Sequence, residues 1–323
     1  MAQVRGTDTQ IALFDESTFG AMPGSPAGKL LYCTTASPDA KRTLVRSNTI
    51  TNGRTSHRVW PDQWDITAAI AGELAPESSG MWLKHAMGQV ATTGVGPYTH
   101  TLTLGALPVG LGIEVDYGSQ ISGAGRYMQY HGLKANQLTL DFPATGPVTF
   151  SLDLIGASHT AASAALDASL TDTGHTPWFA WEGTAKEGGS AIAYLSSGRI
   201  QVANGLDGDT YTIGSAGRRR AIGAGRAVVT GQIVALFESQ ALLDKALAST
   251  ESSIEFTLSR GDGLGSAGNE SQVFLVEGLY YEPASPAIDT PDGLKITLNF
   301  QAHGDGTTTT GLKCTLKNAL DAL

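Results

Sequence analysis

The stretch ITAAIAGELAPESSGMWLKHAMG, residues 66–88, contains the two patterns that decide the fold. Over residues 66–74 the apolar side chains alternate with other residues, which is the two-residue period of a half-buried strand. The sequence PESS at 76–79 breaks this period. Apolar residues then recur at helical spacing over 81–87, and Gly88 is a typical helix-ending residue. The stretch therefore predicts a strand followed by a short amphipathic helix.

The same order of patterns returns in the second half of the chain. Residues 228–236 alternate like a strand, and the apolar positions of LLDKAL (242–247) coincide with those of WLKHAM (82–87). Further strands are predicted at 98–104, 111–116, 130–142 and 148–155 in the first half, and at 253–260, 273–281 and 294–302 in the second. We therefore predict a mainly β fold with an internal duplication.

Shifts in composition predict the domain boundaries. Glycine and proline crowd residues 20–28, so we expect an irregular, extended arm at the N-terminus. The pair Asn52-Gly53 predicts a tight hairpin turn near the start of the first domain. The predicted division is an N-terminal arm at 1–46, a first β domain at 47–160, a linker at 161–186, a second β domain at 187–305 and a C-terminal arm at 306–323.

Length and composition exclude several classes of protein. The 323 residues are 41% hydrophobic and 16% charged, whereas an average protein is about 25% charged. A disordered chain or a helical bundle needs more charge than this. The net charge of −9 disfavours tight binding of nucleic acid, but it allows a polyanion to pass beside the protein without sticking.

Cysteine usage and hydropathy predict assembly in a cytoplasm. Cys33 and Cys314 lie near opposite ends and match no metal-binding or disulfide pattern, so reduced thiols are expected. Residues 1–10 lack the apolar core of a signal peptide. No apolar run of about 18 residues predicts a membrane helix.

No motif predicts catalysis. Residues 263–268 match the GxGxxG pattern of nucleotide-binding loops, but a predicted strand follows them instead of a helix, which favours a flexible hairpin tip. The preceding Arg260-Gly261-Asp262 spells an integrin-type tripeptide, which chance explains equally well. The 7 histidines have neither HExxH nor HxH spacing. We expect no enzyme activity, no cofactor and no metal site.

Arg218, Arg219, Arg220 and Arg226 form the one basic cluster of the sequence. Binding of a single-stranded nucleic acid would require aromatic stacking partners between such arginines, and none interleave with them. We expect either a solvated loop or an intersubunit charge cluster that pairs with acidic residues of another copy.

Four stretches together carry a resemblance to a known family. They are RSNTI at 46–50, the strand pattern at 66–74, MWLKHAMG at 81–88 and YTHT at 98–101. This set resembles the major tail tube proteins of long-tailed, siphovirus-type bacteriophages, especially the larger members with a duplicated tube domain. The likeness extends loosely over residues 10–305.

The resemblance implies two tandem tube-type β-sandwich domains, each with a short flanking helix. In this family subunits form rings, one sheet of each domain joins a continuous inner barrel, and the rings stack into a hollow tube for the genome. A duplicated chain implies three copies in a pseudo-sixfold ring. The implied partners are further copies of the chain, a tape measure protein, and tail terminator and distal tail proteins. The resemblance also implies that double-stranded DNA passes through without specific binding, that no membrane is involved and that the protein is located in the virion tail.

Two strands carry the candidate lumen-facing residues, which are Thr149, Ser151, Asp153, Thr297, Asn299 and Gln301. A bore through which DNA slides must lack sticky basic or apolar patches, and these side chains are uncharged or acidic. They either line the bore or face solvent on an ordinary sandwich.

A carbohydrate-binding β-sandwich, such as a receptor-binding component of a phage tail, is the alternative function. Sugar sites present aromatic platforms, and Trp60 with Trp64, and Trp178 with Trp181, form two spaced pairs. These tryptophans either form such platforms or pack in cores and arm contacts.

Overall fold

The computed structural model describes residues 3–24, 26–50, 52–55, 58–288, 293–305 and 309–323. Within them the chain is mainly β, as predicted, and two short helices interrupt the strands: α1 (Gly80–Met87) and α2 (Ala241–Leu247). None of the helices in the described ranges combines the length and the apolar character that crossing a membrane requires.

The strands fall into two sets, which we name unit 1 (residues 6–162) and unit 2 (residues 180–318). Each unit opens with a short 3-10 turn, at Gly6–Asp8 and at Ala180–Glu182. The strands of unit 1 are β1 (Gln10–Glu16), β2 (Lys29–Leu30), β3 (Thr35–Ala36), β4 (Asp39–Arg46), β5 (Val59–Glu73), β6 (Gly88–Thr93), β7 (Tyr98–Leu104), β8 (Gly110–Asp116), β9 (Tyr127–Phe142), β10 (Thr149–Gly156) and β11 (Ser158–Ala162). The strands of unit 2 are β12 (Gly183–Glu187), β13 (Ser190–Ala191), β14 (Leu195–Ala203), β15 (Val228–Leu236), β16 (Ser252–Ser259), β17 (Ser271–Tyr281), β18 (Lys295–Ala302) and β19 (Leu312–Asn318).

The antiparallel pairings of unit 2 repeat those of unit 1 in order. In unit 1 the pairs are β1–β8, β4–β5, β5–β10, β8–β9, β9–β10 and β9–β11. In unit 2 they are β12–β16, β14–β15, β15–β18, β16–β17, β17–β18 and β17–β19. Each helix follows the second long strand of its hairpin, β5 or β15. The two units therefore share one strand arrangement.

A glycine marks the same bend in both units. Gly132 in β9 has φ 65° and Gly278 in β17 has φ 57°, each beside a register shift in the ladder to β8 or β16. Positive φ favours glycine, and a bulge of this kind bends the strand. Each long strand consequently begins in one sheet of its unit and ends in the other.

One sheet runs through both units. β9 pairs with β14, so the strands follow each other in the order β4, β5, β10, β9, β14, β15, β18, and we name these the shared sheet. Its buried face and the remaining strands enclose one hydrophobic core, in which Trp82 of α1 stacks on Phe150 of β10 with ring centroids 4.1 Å apart. The other face of the shared sheet is partly or fully exposed.

The predicted strands coincide with β5, β7 to β10 and β15 to β18, and the predicted helices with α1 and α2, so these predictions are confirmed. The N-terminal arm at 1–46 is not irregular as predicted, because it contains β1 to β4, and the predicted C-terminal arm at 306–323 contains β19. β1 lies between β2 and β8 and buries Ala12, Leu13 and Phe14, while β19 lies between β17 and β7 and buries Leu312 and Cys314. Consecutive apolar residues in β1 lack the alternation expected of a half-buried strand, because both sides of this strand are covered.

Two further expectations need correction. β4 and β5 do form a hairpin, but Arg46 pairs with Val59, so the connection spans residues 47–58 and Asn52-Gly53 is not a tight two-residue turn. The predicted linker at 161–186 includes the start of β12 and the fully buried Trp178. Trp178 stays in place because its backbone bridges Leu74 and Val148. The remaining domain boundaries stay predictions.

Candidate functional site

The six candidate lumen residues lie on the exposed face of the shared sheet. On β10, Thr149, Ser151 and Asp153 alternate with the buried Phe150 and Leu152. On β18, Thr297, Asn299 and Gln301 are all exposed, and they alternate with a buried apolar set of Ile296, Leu298 and Phe300. Alternation along a strand sends successive side chains to opposite faces, so the apolar sets anchor the sheet and leave these six outside.

The strand register extends this surface across both units in two rows of directly opposed residues. The first row is Glu73, Thr149, Asp141, Arg199, Gln232 and Asn299. The second row is Ala71, Ser151, Thr139, Gln201, Thr230 and Gln301. Opposed residues in an antiparallel pair share a face, so these rows form one surface, which we name the polar face.

The side chains of the polar face bond to one another. Arg199 is the one positive charge in the two rows. Its Nε donates a hydrogen bond to Oδ1 of Asp141 at a distance of 2.5 Å. Gln232 donates to Asn299 over 3.0 Å, and Gln301 donates to the carboxylate of Glu282 over 2.9 Å. The cation is thereby neutralised, and the polar face presents amides, hydroxyls and carboxylates.

The junction between β9 and β14 holds the two units together. Phe142 at the end of β9 stacks on Phe256 of unit 2 with centroids 4.3 Å apart, and it meets Phe274 edge-on at 5.7 Å. The buried Asn204 follows β14, and its side-chain amide donates to the carbonyl oxygens of Ala86 and Ala135, each over 2.9 Å. Apolar packing and satisfied polar groups together fix this junction.

The arginine cluster does not act as one group. Arg219 donates to the carbonyl of Gly156 over 2.9 Å and to the carboxylate of Asp65 over 2.7 Å, and only 9% of its side chain is exposed. It therefore ties the loop at 204–227 to unit 1 of the same chain. Arg218, Arg220 and Arg226 are exposed, and an intersubunit role for them stays a prediction.

The glycine-rich loop joins β16 to β17, two antiparallel strands, as its pattern predicted. Its neighbour Arg260 does not extend into solvent. The guanidinium donates to Glu182 over 2.6 Å and lies 4.5 Å from the ring centroid of Trp178. Burial raises the pKa of Glu182, but the hydrogen bonds from Arg260 and from the Phe179 backbone outweigh this and lower its pKa overall. Arg260 is thus a structural residue, which does not fit an integrin-type tripeptide.

The tryptophans do not form two matched platforms. Trp178 is fully buried and donates from its indole nitrogen to Gln272 over 2.9 Å, whereas Trp181 is 80% exposed. Trp60 is exposed, but the half-buried Trp64 has its ring covered by the guanidinium of Arg42 at 4.8 Å. The pair Trp178 and Trp181 therefore offers no common aromatic surface to a sugar.

Sequence reasoning missed Glu282 and Asn204, which lie just beyond strand ends. Glu282 precedes a proline, and Asn204 begins a long loop, so neither belongs to a periodic pattern. Only the register of the neighbouring strands brings them to the polar face and to the junction. Across the described part of the chain, no group of three or more His, Cys, Asp or Glu residues is arranged to hold a metal ion.

These observations define a mainly β protein that consists of linked β-sandwich units with one polar sheet face in common. The model of the phage tail tube protein family matches residues 6–302, and the chain belongs to this family. A comparison with curated proteins found no match. The resemblance seen in the sequence is confirmed, and the protein is a structural component of the virion tail.

Proposed function

We propose that the chain polymerises as stacked rings into the tail tube, the conduit for DNA ejection, with the polar face lining the bore. The observation that carries this proposal is the continuity of the two polar rows over six strands and both units. The candidate lumen residues Thr149, Ser151 and Asp153 on β10, and their counterparts on β18, lie in or beside these rows.

The chemistry of the polar face suits the passage of a polyanion. A protein that grips DNA uses unpaired Lys and Arg on the phosphates, and each such contact would hold the genome back. The single cation of the two rows, Arg199, is paired with Asp141. The net charge of −9 adds a weak repulsion, so the duplex slides without adsorbing.

The repeated strand arrangement supports a ring of three copies. Each chain would contribute two similar units to the wall, so three chains provide a pseudo-sixfold ring. Contacts between unlike patches of neighbouring copies close into a ring when their rotation permits. Assembly takes place in the host cytoplasm, and the completed tube contacts the tape measure, tail terminator and distal tail proteins.

Cysteine labelling before and after assembly tests the assignment of the bore. Ser151→Cys lies on the polar face and Thr184→Cys lies on β12, outside it, and both positions are partly or fully exposed in the single chain. Both variants would carry Cys33→Ser, because Cys33 is only half-buried. We expect a bulky polyethylene-glycol maleimide to label both before assembly, and only Thr184→Cys at an unchanged rate afterwards.

Equal labelling of Ser151→Cys before and after assembly would contradict a bore lined by the polar face. A parent protein that forms no rings or tubes in electron micrographs at high concentration, or with a tail initiator complex added, would contradict the tube itself.

A further inference from the structure

The shared sheet has two edges, and each edge corresponds to one of the two strands that pair at the β9–β14 junction. In the junction, the second half of β9 pairs with β14. β4 corresponds to β14, and within the described residues it pairs with β5 alone. The stretch after β17 corresponds to the second half of β9, and its first residue, Glu282, continues the ladder to β18 with a backbone hydrogen bond to Asn299. Both edges are exposed.

The matched ladders assign partners across these edges. Gln137 of β9 lies between two partners. On one side it is opposite Asp153, which lies three residues before the end of β10, and on the other side it is opposite Ala203 of β14. Glu282 stands in the same place beside β18, since its backbone nitrogen donates to the oxygen of Asn299 over 2.8 Å. When the β4–β5 ladder is compared with the β14–β15 ladder, Lys41 of β4 occupies the position that corresponds to Ala203 of β14.

We propose, on the basis of the ring assembly above, that the edge of β4 in one copy pairs antiparallel with residues 282–285 of the next copy, with Lys41 opposite Glu282. The occupant of each edge is thus a second copy of this chain. The contact repeats the junction of β9 with β14 between molecules, and it continues the polar face from copy to copy.

Charge and exposure support this pairing. The Lys41 side chain is 69% exposed, and among the residues that the structure describes its ammonium forms one ion pair, at 3.0 Å with Asp39, whose side chain is 46% exposed. Glu282 is exposed and accepts from the amides of Gln301 and Asn299 over 2.9 and 3.5 Å. Opposite charges that face each other across an antiparallel pair stabilise it, and like charges destabilise it.

The backbone of both edges is prepared for a limited ladder. Ser37 donates to the oxygen of Ala69 at 2.8 Å, so its even-numbered neighbours Pro38 and Ala40 direct their backbone groups away from β5. The oxygen of Pro38 already accepts a hydrogen bond from the Tyr130 hydroxyl at 3.2 Å, which leaves it one further lone pair. By the same alternation, Pro283 and Ser285 point away from β18. Each facing pair then contains one proline and offers one hydrogen bond instead of two: Ala40 donates to the oxygen of Pro283, and Ser285 donates to the oxygen of Pro38, which Ser285 shares with Tyr130. Prolines at sheet edges weaken unwanted pairing, which keeps single chains apart until a ring closes.

A disulfide cross-link tests the register. Lys41→Cys with Glu282→Cys in a Cys33→Ser background places the two cysteines at a non-hydrogen-bonded pair, where Cα atoms are about 4.5 Å apart and a disulfide can form. The matched control is Lys41→Cys with Lys295→Cys, since Lys295 lies four residues from Asn299, about 13 Å along the strand. We expect oxidation of assembled protein to give covalent multimers with the first pair and monomers with the control.

Charge exchange tests the same contact without cysteines. Lys41→Glu and Glu282→Lys should each raise the protein concentration needed for assembly, roughly fivefold or more. The double variant should restore it to within about twofold of the parent, because opposite charges again face each other. Both positions are exposed, so unchanged melting curves of the single chains would show that folding is not the cause.

The outcomes separate this inference from the function on which it rests. Rings or tubes that form without a cross-link, and that tolerate Lys41→Glu, would overturn the assigned edges while the tube stands. A parent protein that never assembles, even with an initiator, would overturn the proposed tube and these edges with it.

Discussion

The two helices have similar sequence patterns but very different surroundings. In α1 all residues except Lys84 are buried, whereas in α2 only Leu242 and Ala246 are. The hairpin β6–β7 and the C-terminal Leu323 cover α1, and Asn204 of unit 2 donates to its last turn. No matching hairpin separates α2 from β16. The helix pattern therefore specifies the element, and the neighbouring strands decide how much of it is buried.

The largest expected effect separates these helices at matched positions. Met87 is fully buried at the end of α1, and Leu247 is 64% exposed at the end of α2. Met87→Ala should lower the free energy of unfolding by about 2–5 kcal/mol, because it leaves a cavity in the core. Leu247→Ala should change it by less than about 0.5 kcal/mol in the unassembled chain. Urea unfolding followed by circular dichroism measures both, and equal losses would remove the distinction between the helices.

The glycine bends should, in contrast, behave alike in the two units. Gly132→Ala and Gly278→Ala each place a side chain on a backbone with positive φ, and the new Cβ would lie 2.9 Å from Ala157 or His303. We expect each change to destabilise the protein by about 1–3 kcal/mol. Thermal melts of the two variants check this. A cost at only one of them would show that the bends are not equivalent.

The arginine cluster allows a comparison between adjacent residues. Arg219→Ala removes charge-assisted bonds to Gly156 and Asp65 and leaves a buried carbonyl without its donor, which should cost about 1.5–3 kcal/mol. Arg218→Ala, at an exposed neighbour, should stay within about 0.5 kcal/mol of the parent. Chemical denaturation of unassembled protein gives both values. A larger loss for Arg218 would contradict the placement of the loop at 204–227.

The smallest expected effect is the pH dependence that Asp15 gives to the ion pair at α1 in unit 1. Asp15 accepts hydrogen bonds from His85 and Lys84, both over 2.7 Å. Burial raises the pKa of Asp15, but these hydrogen bonds outweigh burial and hold its pKa at about 2. Its unfolded pKa is about 3.9, so the stabilisation is present above about pH 4 and is lost as the pH falls toward 2.

The side chain of Asp15 is 52% exposed, so we expect solvent to limit its contribution to about 1 kcal/mol or less. Asp15→Asn should be less stable than the parent at pH 6, and the difference should vanish near pH 2. Stability curves of both proteins over this range provide the measurement. A difference in stability that stays constant between pH 6 and pH 2 would show that the substitution acts through packing and not through the charge of Asp15. Unit 2 has its own ion pair at the helix, in which the ammonium of Lys245 in α2 contacts the carboxylate of Glu187 on β12 at 2.6 and 2.8 Å. At the position that matches Lys84, Asp244 of α2 is exposed.

Much of the fold was predictable where one face of an element is buried. Alternation located β10 and β18 and therefore the six candidate lumen residues, since each strand covers the core on one side only. It failed for β1, where consecutive apolar residues are covered on both sides. β19 does alternate, with Leu312, Cys314 and Leu316 inward, but its partner β7 lies more than 200 residues away in the sequence.

The two polar rows could not be predicted from the sequence, because they depend on register between strands far apart in the chain. Thr139 and Gln201, for example, stand opposite each other only through the β9–β14 pair. The same holds for Arg219, whose partners Gly156 and Asp65 belong to unit 1. Local patterns specify which side chains leave the core, and tertiary pairing decides which of them meet.

A cryo-electron microscopy reconstruction of the assembled protein tests the central claim most directly. We expect a hollow tube of stacked three-chain rings in which β10 and β18 form the innermost layer and Ser151 and Gln301 point to the axis. Density that places the polar face on the outer wall, or at the contacts between stacked rings, would contradict the account.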